Sequence, residues 1–125
     1  MINLEDALNI YEFLINKFGG SHGVRDLNLL KSALARPFQT FDKKDLYKTP
    51  SEKAAAIIES LVTNHPFIDG NKRIGWVLMR LYLMEVGLDI KASQESRYEF
   101  VISIASNKLP FQEIVDWIDR YVLQI

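Results

Sequence analysis

A chain of 125 residues, 48% hydrophobic and 25% charged, has the size and mixture of one soluble domain built around one core, and a single domain over 1–125 is expected. The absence of cysteine excludes a disulfide framework and thiolate metal sites. A formal net charge of -1 provides no global basic field, so neither direct nucleic-acid binding nor attraction to an anionic membrane is expected.

The start, Met1-Ile2-Asn3-Leu4-Glu5-Asp6, has early acids and no basic n-region, so no signal peptide is read. Asn3 is placed as an N-cap, with Glu5 and Asp6 where the helix dipole favours acids. Leu4, Ala7, Leu8, Tyr11, Leu14, Ile15 and Phe18 follow at helical spacing up to Gly19-Gly20. Ser21 to Arg25 reads as a loop in which His22 has no assigned role. Asp26 caps a second helix with Leu27, Leu30, Ala33 and Leu34 inward, stopping before Pro37. Arg25 and Asp26 either pair locally or line a target groove.

From Pro37 to Lys48 the helical period is lost. The segment suits either a small β-hairpin or flap, or a surface loop with aromatic anchors. Thr49-Pro50-Ser51-Glu52 is a helix start, with threonine at N-cap, proline at N1 and glutamate at N3. That helix runs through Ala54, Ile57, Ile58, Leu61 and Val62 to about His65, where Pro66 ends it. A second strongly apolar helix carries Ile74, Val77, Leu78, Leu81, Tyr82 and Val86 and closes at Gly87. Arg80 and Glu85 interrupt it, and it is too short to span a bilayer. Leu88 to Lys91 reads as extended or irregular. Ser93 caps a helix reaching Ala105, and Pro110 leads into a last helix with Phe111, Ile114, Val115, Trp117, Ile118 and Tyr121. Trp76 and Trp117 are expected in the core or at its rim. About six helices with short connections give an all-α bundle with one non-helical excursion.

Between the two most apolar helices lies His65-Pro66-Phe67-Ile68-Asp69-Gly70-Asn71-Lys72-Arg73, which holds more chemistry than a turn requires. The following helix starts near Asn71, and its first backbone N–H groups and dipole form an anion site. Gly70 permits close backbone approach, and Lys72 and Arg73 add full charges suited to phosphate. Cations at a helix N-terminus oppose the dipole and are misplaced unless an anion comes to them. Imidazole is the side chain suited to general-base work near neutrality, which His65 supplies. Asp69 is a hard oxygen ligand that beside phosphates suits Mg²⁺. Phe67 is expected to be buried, pinning the loop. Together these imply group transfer from a nucleotide to a hydroxyl.

The nine residues resemble the signature of the Fic/Doc family. The Fic branch carries His-Pro-Phe-x-Asp/Glu-Gly-Asn-Gly-Arg-x-x-Arg and mostly transfers AMP, whereas the Doc (death-on-curing) branch carries His-x-Phe-x-Asp-x-Asn-Lys-Arg. Lys72 stands where Fic enzymes have their second glycine and Trp76 where they have their second arginine, so the chain is more similar to the Doc branch. Arg25-Asp26 and Ser32-Ala33-Leu34 extend the similarity over almost the whole chain.

The resemblance implies a helical bundle with a β-hairpin flap, here Pro37 to Lys48, that aligns a target segment by strand addition. It implies His65 and Arg73 as catalytic residues, Asp69 as the Mg²⁺ ligand, and Gly70, Asn71, Lys72 and Arg73 as the binders of ATP phosphates. Bulk and charge at Lys72 favour seating the terminal phosphate there. The expected activity is therefore phosphoryl transfer from ATP to a hydroxyl of a target protein, with elongation factor Tu as the implied target and translation blocked. AMP transfer is the alternative, and a non-catalytic phosphate-binding adaptor or corepressor is another that His65 and Asp69 disfavour. No Ser/Thr-x-x-x-Glu-Gly/Asn inhibitory segment is found, which implies a separate antitoxin similar to Phd. A cytoplasmic location is expected.

Overall fold

The structure, a computed structural model, describes residues 2–125. Its six α-helices are α1 (Leu4–Phe18), α2 (Leu27–Ala35), α3 (Pro50–Asn64), α4 (Asn71–Glu85), α5 (Gln94–Ala105) and α6 (Phe111–Tyr121). The capping side chains expected from the sequence start four of them. Asn3 accepts from the Asp6 N–H, Asp26 from Leu29, Thr49 from Glu52 and Ser93 from Ser96. The helices α3 and α4 form the centre: Ala54 to Ile58, Leu61 and Val62 of α3 meet Ile74, Leu78, Met79 and Leu83 of α4, all buried. Around this pair α1, α2, α5 and α6 contribute Tyr11, Ile15, Leu30, Phe100, Ile104, Ile114 and Ile118 to one apolar cluster. No helix among the described residues is long and apolar enough to cross a membrane.

The helix α2 stops at Ala35, before Pro37 as expected. A 3₁₀ turn over Arg36–Phe38 carries the chain through the proline, which the start of a turn tolerates because its missing N–H is not needed. A true hairpin follows, β1 (Thr40–Phe41) paired antiparallel with β2 (Lys44–Asp45). Asp42 and Lys43 take φ of 51° and 64° in its two-residue turn, the left-handed geometry that matches strand twist. Its base is tied down: Arg36 Nε donates to the Tyr47 hydroxyl at 2.8 Å and Arg36 also pairs with Glu59 at 2.9 Å. Both strands themselves are exposed, so their backbone is accessible to another strand.

A second strand pair was not expected. β3 (Leu88–Ile90) pairs with β4 (Val122–Gln124), which continues directly from α6. Of the extended and irregular readings of Leu88 to Lys91, the extended one holds over Leu88–Ile90, where Val122–Gln124 is the partner. Arg80 of α4 grips Asp89 of β3 with two hydrogen bonds, at 2.9 and 2.8 Å.

Candidate active site

The nine-residue motif closes α3 and opens α4. His65 is the C-cap of α3 with φ 51° and ψ 60°, a left-handed conformation that stops the helix and leaves the residue exposed. Phe67 is 0% exposed and stacks on Tyr11 of α1, ring centroids 3.7 Å apart and planes within 11°. It is the expected pin. Gly70, at φ 77°, is the N-cap of α4 and has no side chain to offer as a cap, so the first N–H groups of α4 are not covered from that position. Lys72 is exposed and Arg73 half-buried just inside this terminus.

Asn71 can offer an anion only its backbone. Its side chain is buried and turned inward, accepting from the Phe67 N–H and donating to the Phe67 carbonyl, both at 3.0 Å. The amide closes the loop on itself, and only the backbone of Asn71 is left for an anion. The physical reason is that the buried Phe67 peptide has no water and needs both partners.

Asp69 is exposed yet fixed. One carboxylate oxygen accepts from the Ser21 N–H at 3.1 Å and the other from the Gly70 N–H at 2.8 Å. These two hydrogen bonds, then the charges of Arg73 and Lys72, hold its carboxyl below the usual carboxylate range. It is therefore ionised at neutral pH with lone pairs to spare. Among the described residues no group of three or more His, Cys, Asp or Glu could hold a metal. A cation at Asp69 would thus have one protein carboxylate and take its other ligands from phosphate and water, a donor set that fits Mg²⁺.

The second half of the site lies outside the motif and was not expected. The linker between α1 and α2 is laced to the motif as a partner strand. Val24 and Phe67 form an antiparallel bridge, Ile68 N–H donates to Gly23 O at 3.0 Å, and the N–H groups of Arg25 and Asp26 donate to Pro66 O. Arg25 does not pair with Asp26. Its guanidinium donates to the carbonyls of Asn64 and His65, at 2.7 and 2.6 Å, satisfying the open end of α3 and clamping His65. Asp26 is used as the α2 cap. Tyr11 reaches the same place with its hydroxyl, 2.9 Å from Asp69 O and 3.0 Å from Ser21 O, and burial raises its pKa. Arg73 donates to Gly19 O at 3.0 Å and lies over the Phe18 ring.

One signal for this lay in the glycines. Gly20 has φ 120°, and a Cβ there would stand 2.9 Å from the Asp69 carboxylate. The Gly19-Gly20 pair thus does more than end α1, because the second glycine lets the linker approach Asp69. His22, left without a role, pairs on the surface with Glu12 at 2.6 Å. Trp76 and Trp117 are half-buried at the rim, as expected.

The Fic/DOC family profile matches residues 1–83, about two thirds of the chain and all of the motif. The chain belongs to the Fic/DOC family. The match ends in α4, short of the whole-chain resemblance, so α5 and α6 lie outside it. Among curated proteins the chain is similar to Toxin Doc of Mycolicibacterium smegmatis (strain ATCC 700084 / mc(2)155), 43% identical over 75 residues. That similarity agrees with the Doc-type residues of the motif. It covers 60% of this chain and 58% of the relative, so less than two thirds of the relative's length is represented.

Proposed function

We propose that this chain is the toxin of a toxin–antitoxin pair and transfers the terminal phosphoryl group of ATP to a hydroxyl side chain of a target protein. The observation that carries the reading is one short loop bearing an exposed histidine, an ionised carboxylate and an uncapped helix N-terminus flanked by two cations. The similarity to a toxin, Toxin Doc of Mycolicibacterium smegmatis, supports the biological role.

In this reading the His65 imidazole takes the proton of the target hydroxyl as its oxygen attacks the terminal phosphorus. The bond from that phosphorus to the bridging oxygen breaks, ADP leaves, and a phosphate ester remains on the target. The α4 N-terminus, Lys72 and Arg73 bind the phosphates and stabilise the charge that develops on them. Asp69 would hold Mg²⁺, which when bound neutralises phosphate charge. Arg25 and Asn71 keep the loop in the shape that this chemistry needs. The exposed β1–β2 hairpin serves as the flap that aligns the target by strand addition, elongation factor Tu being the target implied by the Doc resemblance. Control falls to a separate antitoxin similar to Phd.

Mass spectrometry of elongation factor Tu incubated with this chain, ATP and Mg²⁺ tests the reading. A phosphate gain that disappears with His65→Ala is expected. A gain of AMP would replace phosphoryl transfer by AMP transfer. Expression of the wild-type chain should slow growth of the native host and His65→Ala should relieve it; equal harmlessness of both would defeat the toxin role.

A further inference from the structure

Every residue from Gln39 to Leu46 is exposed, so the β1–β2 hairpin buries none of its own side chains. Its strands have two residues each, and a hairpin that short does not hold its place by itself. Its position is therefore set from its ends.

Those ends meet at Tyr47, which is half-buried and held at three points. Its hydroxyl accepts from Arg36 Nε at 2.8 Å. Its carbonyl accepts from Lys53 Nζ of α3, which also pairs with Asp45 of β2 at 3.3 Å. Its ring stands edge-on to Phe111 of α6, with 5.5 Å between centroids. The Arg36 guanidinium lies 5.3 Å from each of these two rings. Arg36 precedes the hairpin and Tyr47 follows it, so one side chain closes the two legs.

The same guanidinium reaches into α3. Its Nη1 donates to the Ser60 hydroxyl at 2.9 Å and pairs with Glu59 at 2.9 Å. Ser60 is 3% exposed, where a hydroxyl without a partner would be costly, so the contact satisfies both sides. Glu59 and Ser60 stand one turn before Thr63 and Asn64, and His65 caps the helix end. Arg25 clamps the last turn, and Arg36 grips the turn before it. Adjacent turns of α3 thus carry the candidate base and the hairpin.

We propose that Arg36 is a positioning residue for the protein substrate, fixing the exposed hairpin on α3 at a set place relative to His65. The proposal rests on the reading above, in which the hairpin aligns the target and His65 takes its proton. A strand added to the hairpin moves with it, so freedom at the base carries the acceptor hydroxyl away from His65. ATP binding is left alone, since Arg36, Tyr47 and Ser60 all lie outside the motif. Phe111 makes α6, beyond the matched residues 1–83, part of the same support.

Steady-state phosphoryl transfer by the full chain, with ATP and elongation factor Tu varied in turn, tests it beside calorimetric titration of ATP with Mg²⁺. Arg36→Ala should raise KM for the protein acceptor about tenfold, with KM for ATP and calorimetric ATP affinity unchanged. Tyr47→Phe, which keeps the ring and removes the hydroxyl, should raise acceptor KM about threefold. Arg36→Lys should recover little, because a point charge cannot hold Tyr47 and Ser60 together. Circular dichroism confirms the fold of each variant, and Tyr47→Phe decides if Arg36→Ala does not fold. Unchanged acceptor KM in the folded variants, or equal losses for acceptor and ATP, would overturn the proposal and leave phosphoryl transfer standing. Absence of transfer by the wild type would overturn both.

Discussion

Asn71 offers the sharpest test of how the motif is built. Asn71→Ala removes the partners of both Phe67 backbone groups, two hydrogen bonds of 3.0 Å at a residue that is 0% exposed. A buried group left without a partner costs about 1–3 kcal/mol. Two such groups, with partial relief from local opening of the loop, amount to about 2–4 kcal/mol. Alanine returns roughly 0.5 kcal/mol through helix propensity at the start of α4. The net loss is about 1.5–3.5 kcal/mol, or on the order of 10 °C in Tm for a chain of this size. Urea unfolding at constant m-value measures it, with exposed Lys72→Ala as a control expected within about 0.5 kcal/mol. A loss below about 0.5 kcal/mol for Asn71→Ala, accompanied by weaker nucleotide binding, would refute the structural role and restore the side chain as a phosphate ligand.

Arg25→Ala should cost about 1–2 kcal/mol, since the carbonyls of Asn64 and His65 lose charged donors at a partly solvated site. Phosphoryl transfer should fall well beyond what the lost stability explains, and Arg25→Lys should restore little because a point charge cannot reproduce the two-donor clamp; transfer at wild-type rate in Arg25→Ala would show that His65 needs no clamp. Asp89→Asn should destabilise by about 1–2 kcal/mol at neutral pH through the loss of its paired hydrogen bonds to Arg80. The hydrogen bonds from Arg80 depress the Asp89 pKa below its unfolded value near 3.9, so the contribution is present above that value and is lost as pH falls through the folded pKa. Urea midpoints of the two proteins from pH 7 downwards should keep a constant gap to about pH 5 and converge below pH 4; a gap that widens in acid would reverse the sign of this linkage.

Local signals account for most of the helical frame. Asn3, Asp26, Thr49 and Ser93 each act through their own side chain on an N–H three residues ahead, an interaction within one turn. The 3.6-residue period of α3 and α4 likewise marks which positions are buried. Strand β4 gave no such signal. Val122–Gln124 follows α6 without a glycine or proline, and its extended form is held by pairing with β3, more than thirty residues earlier in the chain. Arg80 joining Asp89 is legible only once that strand is placed.

The candidate site divides in the same way. Which functional groups are present, and that they share one interhelical loop, is written in the order of the residues. His65, Asp69, Gly70, Lys72 and Arg73 are neighbours along the chain, and the helix start beside them follows from local rules. What holds that loop, and which way its side chains turn, is set by the packing of the helices around it. Asn71 turns inward because burial of Phe67 strips water from its peptide. Asp69 is fixed by Ser21, and His65 by Arg25, across separations of 48 and 40 residues. Such contacts depend on where α1 and α2 pack, and packing is a property of the whole core.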